Sequence, residues 1–166
     1  MLSENINTTR RPYTDILRES CQLQIVLDKK MLDPASVYPN KEAVDIEHNE
    51  YNKGAVEGDL FAWDYLLKTI DNPGVLKAPI EIMLAEHYHR SQMENSMIDS
   101  DSFTYHAGYV AGRTNAYKAA LTAIDRTDLI DLVDQGKFKL RQRPDGNYEL
   151  DTGKPTTNIK FTEPER

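Results

Sequence analysis

The chain has 166 residues, of which 39% are hydrophobic and 28% charged, so it can build the core of one domain and is not disordered throughout. Its net charge of -7 argues against a protein that binds nucleic acid over its whole surface, because phosphate contacts require clustered lysine and arginine. A single cysteine, Cys21, excludes a disulfide framework and a zinc site built on several thiolates.

Hydrophobic periodicity and helix-boundary residues predict five helices, over residues 15–32, 46–70, 79–98, 103–124 and 128–135. In the first helix, apolar spacing predicts an inner face of six residues: Ile16, Leu17, Leu23, Val26, Leu27 and Met31. Gly136 ends the fifth helix, and the segment after it alternates, turns at PDGN and can return as a second strand.

The chain therefore divides into four parts. We expect a flexible N-terminal arm over 1–12, a helical domain over 13–135, a β-hairpin over 136–151 and an extended C-terminal tail over 152–166. The predicted fold class is mainly α, with a duplicated helical hairpin forming a four-helix core.

The duplication is visible when the sequence is shifted by 54 positions. Residues 51–71 then align with residues 105–125, with eight identities in twenty-one positions, and Trp63 aligns with Tyr117. Each copy carries small residues four apart in a helix, and they are Gly54, Gly58 and Ala62 in the first copy and Gly108, Gly112 and Ala116 in the second. Glycine costs about 1 kcal/mol relative to alanine inside a helix, so the pairs need a packing reason.

Small residues at this spacing allow another backbone to approach closely. We expect helices 2 and 4 to cross glycine to glycine about a pseudo-twofold axis, with helices 1 and 3 covering their large apolar faces. Asp59 and Arg113 are equivalent in the two copies and can pair across this crossing. The alternative is that each glycine face meets a second copy of the chain.

The third helix carries a candidate metal-binding pair, Glu86 and His89, in the E-x-x-H spacing that diiron carboxylate bundles use. Asp45 and His48 repeat that spacing less well, and a complete site also needs carboxylates from the other helices. We therefore expect surface polar residues here, and no metal or other cofactor.

The segment KFKLRQR is the one concentrated basic feature. As a strand it places Lys137, Lys139, Arg141 and Arg143 on one face, opposite Phe138 and Leu140. Such charges commonly block edge-to-edge aggregation, and the functional interpretation is docking to an acidic partner surface or to nucleic acid.

No catalytic motif occurs, and we expect a non-enzymatic structural or adaptor subunit of a larger assembly whose terminal arms contact neighbours. A virion accessory or head–tail connecting protein of a phage fits this profile. The expected partners are proteins, in a homo-oligomer or a hetero-assembly, and neither nucleic acid nor a membrane. A small acidic inhibitor and a metal-dependent bundle enzyme are the alternatives. Without a signal-peptide pattern or an apolar run of about 20 residues, we expect a cytoplasmic or virion location.

Overall fold

A computed structural model describes residues 11–33, 46–99 and 101–153, without the side chains of 46–49. The helices are α1 (Tyr13–Leu32), α2 (Ile46–Asp71), α3 (Ile80–Ser96), α4 (Tyr105–Ala123) and α5 (Thr127–Asp134), with a short 3-10 turn at Pro73–Val75. Strands β1 (Leu140–Gln142) and β2 (Tyr148–Leu150) form an antiparallel hairpin. The mainly α prediction is confirmed. The predicted arm over 1–12 and the predicted tail over 152–166 lie largely outside the described residues.

Two helical hairpins form the body of the fold. In the first, α1 runs antiparallel to α2, so that Arg18 near the start of α1 pairs with Asp71 at the end of α2. In the second, α3 runs antiparallel to α4, and Ser91 of α3 hydrogen-bonds Thr114 of α4 at 2.6 Å. The hairpins meet through α2 and α4, which run side by side in the same direction.

The contact between α2 and α4 joins backbone to backbone at the glycines. A Cβ added to Gly54 would lie 2.9 Å from the amide nitrogen of Tyr109, and one added to Gly108 would lie 3.1 Å from that of Ala55. Because Gly108 and Tyr109 stand 54 positions after Gly54 and Ala55, the two contacts are the same contact with the copies exchanged. Gly58 likewise faces the carbonyl of Tyr109, while its equivalent, Gly112, faces that of Ala55. The glycine faces therefore meet within one chain, about a pseudo-twofold axis.

The hydrophobic core lies between α2 and the helices on either side of it. The two aligned aromatics, Trp63 and Tyr117, are both buried, at 3% and 4% exposure, and so are Ala62 and Ala116. The largest fully buried side chains are Tyr88, Leu17, Leu66, Leu84, Leu121, Leu129, Val110 and Cys21. The large apolar faces of α2 and α4 thus pack inward while their small faces meet each other.

The predicted inner face of α1 is wrong in its second half. Three of the six predicted residues are 42–60% exposed: Leu23, Val26 and Leu27. The buried positions of α1 are Leu17, Cys21 and Asp28. The apolar residues of this helix lie on two faces, and α1 packs against α2 through only one of them.

The hairpin is fixed to the helices at two points. Phe138, just before β1, is 5% exposed and joins the core, and the backbone N–H of Tyr148 donates to the carbonyl oxygen of Lys77 at 2.6 Å. Gly136, at φ 71°, ends α5 in the left-handed conformation that favours glycine, so the chain turns sharply toward β1. The hairpin is thereby held beside α3.

Candidate interaction surfaces

The metal-binding candidates on α3 are engaged in other contacts. The carboxylate of Glu86 accepts a hydrogen bond from Nε of Arg90 at 2.5 Å, and the His89 ring lies 5.7 Å from the ring of Phe138. Within residues 11–33, 46–99 and 101–153, no group of three His, Cys, Asp or Glu side chains is placed to hold a metal ion. Asp45 and the side chain of His48 lie outside the described residues.

The four basic residues before, within and just after β1 divide into two pairs. Arg141 lies opposite Glu149 in the hairpin and pairs with it at 2.7 Å, and Arg143 pairs with Asp145 at 3.2 Å. Lys137 and Lys139 are exposed. Half of the predicted docking charges are therefore neutralised within the hairpin, which leaves the two lysines as the basic groups facing solvent.

A groove runs between α3 and the hairpin, with a cavity volume of about 700 Å³, and we call it the α3–hairpin groove. Its apolar lining comes from both elements: Ile82, Met83, Met93, Phe138, Leu140 and Tyr148. Met93 is 49% exposed and Tyr148 39% exposed, so the apolar surface is open to solvent. Methionine adapts its shape readily, which suits a surface that receives an irregular partner.

The charged groups along this groove are mostly cations. Lys77, Lys139 and Arg90 line it, against the single carboxylate of Glu86, which Arg90 already neutralises. Both lysines are exposed, and no ion pair of either is seen in the described part of the chain. In a chain with a net charge of -7, this groove is a locally positive surface.

A second concavity, which we call the aromatic cleft, lies where α2, α3 and α4 meet. Its cavity volume is about 240 Å³, and it is lined by Phe61, Tyr65, His87, Arg90, Ser91, Glu94, Arg113 and Tyr117. Phe61 and Tyr65 are 47% and 41% exposed, whereas Tyr117 is buried. The cleft therefore has open aromatic walls and a buried aromatic floor.

The rings of the cleft are in mutual contact. Phe61 and Tyr65 lie one turn apart on α2 with centroids 6.2 Å apart and planes within 10° of parallel. Tyr65 meets the His87 ring edge-on at 5.3 Å, and His87 stacks on Tyr117 at the same centroid distance. Such contacts restrain each ring, so the shape of the cleft is largely preformed.

Polar groups at the cleft come from α3 and α4. Arg113 donates through Nε to Oγ of Ser91 at 3.2 Å and pairs with the carboxylate of Glu94. The expected pair between Arg113 and Asp59 does not form, because Glu94 lies across the antiparallel α3–α4 contact and receives the guanidinium. The hydroxyl of Tyr117 makes no hydrogen bond to any described residue, and it is not fully buried, since Oδ2 of Asp28 is the one fully buried unpaired side-chain oxygen in the described part of the chain.

Burial also sets the protonation states of His87 and Tyr117 in the cleft. It lowers the pKa of His87, with the neighbouring charge of Arg90 acting in the same direction, so the imidazole is neutral at neutral pH. Burial raises the pKa of Tyr117 to about 12, which keeps its hydroxyl protonated.

A buried carboxyl pair joins α1 to α2. Asp28 is 5% exposed and faces Asp59, which also accepts a hydrogen bond from Nε1 of Trp63 at 3.1 Å. Burial, followed by the hydrogen bond and repulsion from Asp59, raises the pKa of Asp28 to about 8. Asp28 is thus protonated at neutral pH and can donate a hydrogen bond to the carboxylate opposite.

Cys21 of α1 is a free, buried thiol. The residue is 0% exposed, and burial raises its thiol pKa to about 12. A thiol of this kind is mostly protonated at neutral pH and is a poor nucleophile.

No family model, curated protein sequence or solved structure matches this chain. In its described part, no helix is long and apolar enough to cross a membrane. Of the four basic residues singled out from the sequence, Lys139 lines the α3–hairpin groove, whereas Lys77 and the aromatic cleft were missed. The small stripes of α2 and α4 were the available signal, because a tight crossing brings Phe61 and Tyr65 beside Arg113 and Tyr117.

Proposed function

We propose that this protein is a non-enzymatic adaptor or structural subunit that docks an acidic, partly apolar segment of a protein partner in the α3–hairpin groove. The observation that carries the proposal is an open apolar groove with a positive rim in a chain that is otherwise strongly acidic. The proposal covers any multi-subunit assembly, a virion included, because it concerns the docking surface and not its surroundings.

In the groove, the apolar lining supplies the affinity for a partner and the lysines supply the selectivity. Exposed ion pairs contribute at most about 1 kcal/mol each, so Lys77 and Lys139 alone cannot hold a partner. The apolar lining of Met93, Leu140 and Tyr148 supplies the area to be buried, at about 25 cal/mol per Å² of apolar surface. The two lysines then favour an acidic partner and speed its approach.

The hairpin gives this groove its second wall. Phe138 anchors one end of the hairpin in the core, and the hydrogen bond from Tyr148 to Lys77 fixes the other side. The paired charges of Arg141 and Glu149 hold the two strands in register on the opposite face. A groove that is held in this way loses little conformational entropy when a partner binds.

The test is affinity purification from the native source with three versions of the full chain. The wild type is compared with the groove variant K77E/K139E and with the control variant K53E/K118E, which changes exposed lysines elsewhere by the same total charge. The proposal expects a protein that the wild type and the control retain and the groove variant loses. With that partner purified, the groove variant should bind roughly tenfold more weakly at low salt.

Two outcomes would contradict this function. One is a partner retained equally by the groove variant, which would place the interface elsewhere. The other is the absence of any stoichiometric protein partner together with a mass that stays monomeric at all concentrations.

A further inference from the structure

The aromatic cleft is separate from the α3–hairpin groove in its chemistry. Arg90 lines both, but the cleft is walled by Phe61 and Tyr65 of α2 and floored by Tyr117 of α4, none of which lines the groove. The cleft thus requires its own explanation.

Its size limits what can enter. A cavity of about 240 Å³ lies below the range of roughly 300–1,000 Å³ in which sites for drug-sized molecules fall. A ligand of one or two fused rings fits that space, and a dinucleotide or a folded peptide does not.

The walls favour a flat, unsaturated ring. The rings of Phe61 and Tyr65 are parallel to within 10°, and both residues keep more than two fifths of their surface exposed. Aromatic side chains with open faces bind planar rings by stacking, whichever ring is offered.

Tyr117 at the floor of the cleft and the Arg113–Glu94 pair beside it favour a ligand ring that has a polar edge. The hydroxyl of Tyr117 has no hydrogen-bond partner among the described residues and is not among their fully buried unpaired atoms, so it keeps solvent contact and can hydrogen-bond a ligand that enters the cleft. Beside it, Arg113 offers donors and Glu94 offers acceptors. Adjacent donors and acceptors match an amide-like or amidine-like ring edge.

The charges exclude a strongly anionic ligand. Arg113 is neutralised by Glu94, and Arg90 is neutralised by Glu86. The cleft therefore holds no unpaired cation for a phosphate group.

We propose that the aromatic cleft is a binding site for a small planar heterocycle of one or two fused rings with adjacent hydrogen-bond donor and acceptor atoms on one edge, the chemistry of a free nucleobase. The ring stacks on Phe61 and Tyr65, and its edge hydrogen-bonds the Tyr117 hydroxyl and the Arg113–Glu94 pair. This site is independent of the docking function proposed for the groove.

Ligand-observed NMR titration of the full chain tests this site, with cytosine and adenine as heterocyclic probes and toluene as a flat ring without a polar edge. Cytosine or adenine should bind in the millimolar range or tighter, toluene more weakly, and adenosine monophosphate no better than adenosine. The Y117F variant removes only the hydroxyl and should weaken binding about tenfold. The matched variant Y51F, at a tyrosine that lines neither the cleft nor the groove, should leave binding unchanged.

A second variant guards against a change in folding. Phe61 is 47% exposed, so F61S should keep the fold and still weaken the heterocycle several-fold. Binding of toluene as strong as that of cytosine, or full binding by Y117F, would overturn the proposal. Binding of tyrosine- or tryptophan-containing peptides in the absence of any binding by free heterocycles would also overturn it, since the cleft would then receive a side chain of a protein partner.

Discussion

Replacing Gly58 by alanine tests the crossing of α2 and α4 directly. The added Cβ would lie 2.9 Å from the carbonyl carbon of Tyr109 and 3.0 Å from the amide nitrogen of Arg113. Both atoms belong to the backbone of α4, so no side-chain rotation can relieve the overlap. The carbonyl oxygen of Tyr109 would be closer still, so the two helices must separate by well over a few tenths of an ångström along their contact.

The magnitude follows from two opposing effects. Alanine gains about 1 kcal/mol over glycine in helix propensity. Overpacking of a rigid contact costs typically 1–3 kcal/mol and occasionally more, and a backbone-to-backbone contact belongs at or above the upper end. We expect G58A to lose a net free energy of unfolding of roughly 2–3 kcal/mol, which lowers Tm by about 4–12 °C in a chain of this size.

The measurement is urea and thermal unfolding followed by circular dichroism, with G74A as the matched control. Gly74 has no atom within 4 Å of an added Cβ, so G74A should stay within about 0.5 kcal/mol of wild type. A G58A variant as stable as wild type would refute the tight crossing. Unchanged stability with dissociation of an oligomer would show instead that the glycine faces meet between chains.

Three further predictions concern buried polar groups. Because the pKa of Asp28 is raised to about 8, the folded state holds a proton that the unfolded state releases near pH 4, so stability should fall as the pH rises between these values and level off above them. D28N, measured by thermal unfolding across this range, should remove most of that fall and be more stable than wild type at pH 9. Y88F loses the hydrogen bond from the Tyr88 hydroxyl to Asp134, 2.8 Å long, and should cost about 1 kcal/mol in urea unfolding, whereas no change would mean that the bond does not hold α5 in place. The Cys21 thiol should react with iodoacetamide at pH 8 more than about a hundredfold more slowly than free cysteine, and a rapid reaction in the folded protein would show that α1 opens.

Much of the fold was predictable because its signals are local. Helix boundaries follow from residues such as Pro79 and Gly136, and the aligned copies identify Gly54 and Gly108 as equivalent positions. The contact between the small faces of α2 and α4 follows from those signals, since small residues four apart define one side of a helix.

The face of α1 was not predictable by the same means. Leu23 and Val26 fit an apolar stripe as well as Leu17 does, and periodicity alone cannot tell which stripe meets α2. In the structure, α1 packs against α2 through the side that contains Asp28, a residue type that a hydrophobic pattern predicts to be exposed. Asp28 can be buried because it shares a proton with Asp59, and that contact forms only when α1 and α2 pack together.

The aromatic cleft was hidden for a related reason. Phe61, His87 and Tyr117 belong to three helices, and each fits its own helix as an ordinary residue. Their convergence depends on how far apart α2, α3 and α4 lie, which the sequence specifies only through the glycines.

The exchange symmetry of the crossing has a consequence for how the chain is held together. The contact of Gly54 with Tyr109 and that of Gly108 with Ala55 are the two halves of an interface of the kind that joins identical subunits, here formed within one polypeptide. The link between α2 and α3 then acts mainly as a tether that keeps one hairpin at millimolar local concentration around the other. A chain cleaved between residues 72 and 79 should reassemble from its two fragments, with an affinity set by the glycine crossing.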